Sequence, residues 1–161
     1  MTAAPAFELR NVGAGPELIS LPELAADNEF LLVLFQRDYY CTNCRKQVQA
    51  VADQYEAFRE RGVEVVSIVP EPADRLREWQ DNYELPFPLC ADPGASVSEA
   101  YEQPVRFGFL GDMSDFLGRM PKAVLVDCRD VEPTIVYAHE GSSTWDRPEV
   151  SDLLAEIDDR R

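Results

Sequence analysis

The chain has 161 residues, which suits one ordinary domain and leaves no room for a second. With 45% hydrophobic and 28% charged residues it is a globular mixture, which excludes intrinsic disorder and collagen-like repeats. Thirty acidic against fifteen basic side chains leave a net charge of −15, a field that repels phosphate backbones and anionic bilayers, so neither nucleic acid nor a membrane is an expected partner.

Only two of the cations are lysines, Lys46 and Lys122. An acid-rich, lysine-poor composition resembles that of proteins from salt-loving organisms, where concentrated ions screen self-repulsion. The chain does not open on a basic segment followed by an apolar one. Its longest strongly apolar run, Phe30–Phe35, is far short of the ~20 residues a membrane helix needs. A soluble, cytoplasmic protein is expected. Four cysteines in a reducing compartment then call for a chemical rather than a structural reason.

Residues 1–29 read as an N-terminal extension, with an edge strand at 7–9, turn chemistry at 13–16 and a short helical turn at 21–26. Phe30–Phe35 is unbroken and apolar, as a strand buried on both faces should be. After a polar and aromatic loop at 36–43, Val48, Val51, Ala52, Tyr55 and Phe58 fall on one stripe of a helix over 44–61, which Gly62 ends. Val63–Val69 is a second buried strand, completing a right-handed βαβ unit. A helix over 73–84 follows, with Leu76, Trp79 and Tyr83 on one face. Then come an extended piece at 86–90 and a short helix at 95–101. Residues 102–120 read as a long surface loop, suited to a lid over a site or a dimer contact. Strands at 123–127 and 134–138 form a hairpin, and a helix over 148–160, with Pro148 in its first turn, closes the chain. This order implies an α/β fold, a mixed β-sheet flanked by α-helices, with an N-terminal extension.

The chemistry rests on Cys41-Thr42-Asn43-Cys44. A C-x-x-C between a buried strand and a helix places both sulfurs at a helix N-terminus. Free amides and the macrodipole stabilise a thiolate there. Arg37, Arg45 and Lys46 add positive charge nearby and Asp38 opposes it. The thiolate is the nucleophile in disulfide exchange and in attack on peroxide, and the two-residue spacer lets the second sulfur resolve the intermediate. A zinc site is the competing use of these thiols, but the remaining ligand candidates, Cys90, Cys128 and His139, are isolated in sequence. No flavin or nucleotide motif occurs, so no cofactor is expected. Cys90, Cys128 and Trp79 read as core residues and His139 as a surface-turn residue. Tyr39 and Tyr40 either wall off the cysteines or present an aromatic docking surface.

These residues resemble the thioredoxin-like fold. The segment Leu85-Pro86-Phe87-Pro88-Leu89-Cys90-Ala91-Asp92, before a helix ending in Tyr101, resembles more narrowly the redoxin/peroxiredoxin branch, the alkyl hydroperoxide reductase and thiol-specific antioxidant proteins. Laid without gaps on that branch's P-x-x-x-T-x-x-C loop, the chain puts Cys44 at the peroxidatic position, Cys41 at the threonine and Arg37 at the proline. Pro121-Lys122-Ala123-Val124-Leu125-Val126-Asp127 resembles the redoxin "PTTFLID" stretch. There the resemblance implies a cis proline, Pro121, beside the dithiol, with the Met120 backbone pairing a docked substrate chain. It implies substrate docking by Pro121 and Met120; Tyr40 joins them as a docking candidate from its place beside the cysteines, and Arg37, by its closeness in sequence, and Arg119 are the candidate thiolate-stabilising residues. Arg119 is the arginine nearest the register where peroxiredoxins carry theirs.

The resulting expectation is a thiol-disulfide oxidoreductase with Cys41 attacking and Cys44 resolving. Its substrate would be a protein or small-molecule disulfide, its electron donor a thiol such as a thioredoxin, and a homodimer is compatible with the pattern. The alternatives are a peroxiredoxin-like thiol peroxidase using Cys44 or Cys41, and a non-catalytic redox-sensing or binding module.

Overall fold

A computed structural model describes residues 2–104 and 119–161. Most of the 102–120 segment, and with it the lid or dimer contact expected there, lies outside the described residues. Within them the chain runs β1 (Thr2–Ala3), β2 (Glu8–Asn11), β3 (Leu18–Ser20), α1 (Leu21–Asp27), β4 (Phe30–Phe35), α2 (Thr42–Asp53) and α3 (Tyr55–Arg59). It continues through β5 (Val63–Val69), α4 (Ala73–Tyr83), β6 (Leu89–Ala91), α5 (Ser96–Ala100), β7 (Lys122–Asp127), β8 (Thr134–Glu140) and α6 (Val150–Asp158).

The strands form one sheet in the order β1-β8-β7-β4-β5-β6-β2-β3. β4, β5 and β6 are parallel, and every other neighbouring pair is antiparallel. Central β4 is fully buried because both sheet faces are covered. Its side chains alternate. Phe30, Leu32 and Leu34 pack with Val48, Phe58, Trp79 and Ile157, so α2, α3, α4 and α6 cover one face. Leu31, Val33 and Phe35 pack with Leu21, Val97 and Tyr101, so α1 and α5 cover the other. Removing a buried leucine such as Leu32 by substitution to alanine costs about 2–5 kcal/mol at such a site. This is the α/β, mixed-sheet architecture expected.

Several elements differ in detail. β2 is an interior strand between β6 and β3 rather than an edge. Asn11 locks it there: its Oδ1 accepts from the Gly13 and Leu89 amides, and its Nδ2 donates to the Ala14 and Pro16 carbonyls. The helix expected over 44–61 is two helices. Gln54 leaves helical geometry at φ −111°, ψ 17°, and its N–H turns back to Val51 O at 3.1 Å. Apolar periodicity does not see this break, because Tyr55 and Phe58 still face the same core. Pro148 stands before the helix rather than in its first turn. Glu149 is the N-cap of α6 and shares a reciprocal capping box with Asp152. β1, which pairs with β8 through only two residues, carries no sequence signal of its own.

Candidate functional site

β4 ends at Phe35, and after six intervening residues the chain enters α2. Cys41 is the N-cap of that helix, and its Sγ accepts from the Cys44 amide at 3.2 Å. Cys41 and Cys44 are joined as a disulfide, with Cα atoms 5.2 Å apart. The two sulfurs are not equivalent. Cys41 is 6% exposed and lines a hollow of about 250 Å³ with Arg37, Tyr40 and Thr144, whereas Cys44 is sealed behind it at 0%.

The loop between β4 and α2 is held rigidly. Three donors converge on the Tyr39 carbonyl: Arg45 Nε at 3.1 Å, Arg45 Nη2 at 2.8 Å and Trp79 Nε1 at 3.1 Å. The Arg45 guanidinium also lies 4.7 Å from the centroid of the Tyr39 ring, a cation–π contact. The Tyr39 hydroxyl bonds Glu78. Tyr39 is thus half-buried and structural, while Tyr40 projects from the surface at 58% exposure, with Arg75 over its ring. Asp38, buried, accepts from the Tyr40 amide at 2.7 Å and lies 3.2 Å from Arg37 Nε. Burial raises its carboxyl above the usual range against the pull of Arg37.

The guanidinium that reaches the sulfurs is neither Arg37 nor Arg119 but Arg147, more than a hundred residues along the chain. Arg147 Nη2 lies 2.9 Å from Cys44 Sγ and 3.6 Å from Cys41 Sγ. Its other nitrogens are held by Gln36 Oε1 at 2.8 Å, Gln47 Oε1 at 2.6 Å and Thr144 O at 2.8 Å. Burial pushes its pKa down to about 10, so it stays cationic at neutral pH. Gln36 is fully buried, and removing the arginine would take away the donor to its Oε1, at about 1–3 kcal/mol for an unsatisfied group, while Gln47 Oε1 would keep the Gln36 Nε2 donor at 3.2 Å.

The loop carrying Arg147 is itself tied down. Asp146 takes His139 Nε2 at 2.9 Å on one oxygen, and the Ser142 amide and hydroxyl on the other. These bonds hold the Asp146 carboxyl below its ordinary range, the Ser142 amide contributing most. His139 is therefore a β8 residue with a carboxylate partner, not a residue of a free turn. Thr144 Oγ1 accepts from Asn43 Nδ2 at 3.2 Å, joining this loop to the first turn of α2. Gly141 is required for the approach, since a Cβ there would lie 2.7 Å from Pro121 Cγ and 2.8 Å from Asp146 O.

The other expected site residues fall out as follows. Arg37 contributes its backbone: its amide lies 3.4 Å from Cys44 Sγ, while its side chain faces Asp38. Arg119 makes no described contact with either sulfur and lines a neighbouring cavity. The bond before Pro121 is trans, in contrast to the expected cis, as no described residue has a cis peptide. The Met120 backbone is already paired. Its N–H donates to Pro104 O at 2.8 Å, and its carbonyl accepts from Gln103 Nε2 at 2.8 Å. Met120 is also 5% exposed, so strand-like docking there would have to break both bonds. Cys90 and Cys128 are buried on the opposite face of the sheet from the dithiol, which separates them from it as resolving thiols or as fellow zinc ligands.

Arg147, Gln36 and Gln47 were not legible in sequence. The contact between Arg147 and Cys44 spans 103 positions, and a glutamine just past a strand and another inside a helix carry no motif. The one available signal was an arginine just before a proline and a capped helix.

Comparison with known proteins bears on this geometry. A model of the AhpC/TSA family matches residues 1–129. The chain is 30% identical over 120 residues to peroxiredoxin Q of Oryza sativa subsp. japonica, covering 74% of this chain and 49% of that protein. It is 31% identical over 86 residues to the thiol-disulfide oxidoreductase ResA of Halalkalibacterium halodurans, covering 53% of this chain and 47% of that one. It thus spans about half the length of these curated relatives. Among solved structures, reduced 2-Cys peroxiredoxin of Plasmodium vivax matches with a TM-score of 0.81 at 19% identity, over 98% of this chain and 93% of its own. BcpB of Mycobacterium tuberculosis matches at 0.78 and 16% identity, over 99% and 96%. At those identities the likeness establishes the fold.

Proposed function

The chain belongs to the AhpC/TSA family, and on that footing we propose that it is a cytoplasmic thiol-disulfide oxidoreductase of redoxin type working through Cys41 and Cys44. In the reduced protein the Cys41 thiolate attacks one sulfur of a substrate disulfide. A mixed disulfide forms, and the other substrate sulfur leaves as a thiolate and takes a proton from water. The Cys44 thiolate then attacks Cys41 Sγ, closing the internal disulfide and expelling the second substrate sulfur. Two electrons have passed to the substrate, and an external dithiol of thioredoxin type returns them by the same exchange.

One observation carries this reading: a linked sulfur pair at a helix N-cap, with Cys41 lining the hollow and Cys44 sealed behind it. That asymmetry suits Cys41 to attack and Cys44 to resolve. Arg147 and the amides of the first turn favour thiolates at both positions.

A peroxidase is the second reading, favoured by the close approach of Arg147 and the Arg37 amide to Cys44 Sγ. There the Cys44 thiolate would cleave a hydroperoxide O–O bond, releasing an alcohol or water and becoming a sulfenic acid. Cys41 would condense with it, expelling water. The test is a paired assay on reduced protein, with hydrogen peroxide or an organic hydroperoxide in one arm and a model protein disulfide in the other. Disulfide reduction with peroxide consumption no faster than that of free thiol is the expected result. The reverse pattern replaces the first reading with the second, and turnover in neither arm leaves a non-catalytic module.

The net charge of −15 supports a salt-adapted protein. Its thermal midpoint should rise markedly from low salt to molar KCl. A flat profile removes that proposal.

A further inference from the structure

Next to the hollow at Cys41 lies a second cavity of about 200 Å³, and Arg37 and Asp38 line both. Arg119 forms part of its wall and is only 6% exposed. Its neighbours have their charges matched: Arg37 Nε faces Asp38 at 3.2 Å, and Glu71, also on the wall, has Arg75 at 3.6 Å. Arg119 alone is left over. It makes no hydrogen bond or ion pair with any described residue, although burying an unpartnered guanidinium is costly. At Gly94, on the same cavity, a Cβ would meet nothing within 4 Å, so the wall there is open. A buried positive charge that pairs with no described residue and lines a void larger than one water needs suits a compact anion, and the planar fork of arginine matches a carboxylate.

We propose that Arg119 is the carboxylate-binding residue of a subsite beside the dithiol, and that the small-molecule disulfide exchanged at Cys41 carries a carboxylate. The substrate half rests on the disulfide-exchange reading above, whereas the anion site does not. Asp38 and Glu71 on the same wall restrict the site to a single small anion. They repel a second negative group, and their pairing with Arg37 and Arg75 leaves one net positive charge.

The test has two arms. In the first, the oxidised full chain is titrated with sodium acetate against sodium chloride at equal ionic strength, with acetamide as the neutral control and inorganic phosphate as the rival oxyanion. NMR signals of the Arg119 side chain and the Gly94 amide are followed. Acetate should give saturable shifts and acetamide none. Arg119→Gln should weaken acetate about tenfold, as expected for a lost charge-assisted bond, and Arg119→Lys should restore part of the binding. In the second arm, Arg119→Gln should raise KM for 3,3′-dithiodipropionate about tenfold with little change in kcat, and should move KM for 2-hydroxyethyl disulfide by less than about twofold. Acetate shifts no larger than those of chloride overturn the site. Equal KM changes for both disulfides, or phosphate bound far more tightly than acetate, overturn its role in substrate choice. If neither disulfide is reduced, the exchange reading and the substrate half fail together, while the acetate titration still decides the anion site.

Discussion

The two faces of the sheet each carry a pair of cysteines, and the pairs have opposite character. Cys41 and Cys44 lie where a strand gives way to a helix, under Arg147 and among backbone amides. Cys90 sits in β6 between apolar neighbours at 0% exposure, and Cys128 just past β7 at 9%. Burial pushes the Cys90 thiol up to about 12 and the Cys128 thiol up to about 11, Asp127 adding to the latter. The same side chain thus sits among thiolate-stabilising groups on one face and is a small core hydrophobe on the other. Amides, a guanidinium and an adjoining hollow make the difference; without them desolvation keeps the proton on sulfur.

The largest effect that can break this contrast is on turnover. Cys41→Ser should abolish disulfide reduction, and Cys44→Ser should trap a mixed disulfide on Cys41. Cys90→Ser and Cys128→Ser, wherever they fold, should keep turnover. Mass spectrometry after iodoacetamide at pH 8 should show Cys41 of the reduced native protein alkylated well before Cys90 or Cys128. Reaction of Cys90 first would collapse the distinction.

A smaller effect separates the contribution of Arg147 from that of the helix. Arg147→Gln removes the cation and should raise the pKa of the nucleophilic thiol by about one unit, slowing exchange near pH 7 by about tenfold. Because the thiolates of the reduced state lose support, the reduction potential should fall, by on the order of 30 mV. Thiolate absorbance against pH and equilibration with glutathione read the two quantities. An unchanged titration would assign thiolate stabilisation to the first turn of α2 alone.

The smallest effect concerns stability at alkaline pH. The Cys90 thiol titrates higher in the folded state than in the unfolded chain. Above about pH 9 the unfolded state therefore sheds this proton while the folded state keeps it, and stability falls as pH rises towards 12. The slope approaches about 1.4 kcal/mol per pH unit for one such group. Urea unfolding at pH 8 and pH 10 should show a smaller loss in Cys90→Ala than in the parent. An identical loss would mean that Cys90 ionises as freely in the core as in the open chain.

Much of the fold was legible in the residues because local chemistry and tertiary environment agree there. Phe30–Phe35 and Val63–Val69 are apolar throughout and occupy buried parallel strands. Trp79 sits on the helical stripe that periodicity indicates and is fully buried. The sulfur pair was legible for a similar reason: a C-x-x-C at a strand–helix junction brings its sulfurs together through the geometry of one turn. The break at Gln54 was not legible, since the apolar stripe runs straight through it.

Sequence alone therefore determined the βαβ frame and the pairing of two sulfurs at a strand–helix junction, both of which depend on neighbours within a turn or a strand. Only the tertiary structure decided which cation meets the sulfurs, that the Met120 backbone is already engaged, and that Cys90 and Cys128 lie beyond the sheet from the dithiol. Those are matters of long-range closure. The contact between Arg147 and Cys44 arises because β8 and α6 return across the sheet to α2, and spacing along the chain carries no record of that return.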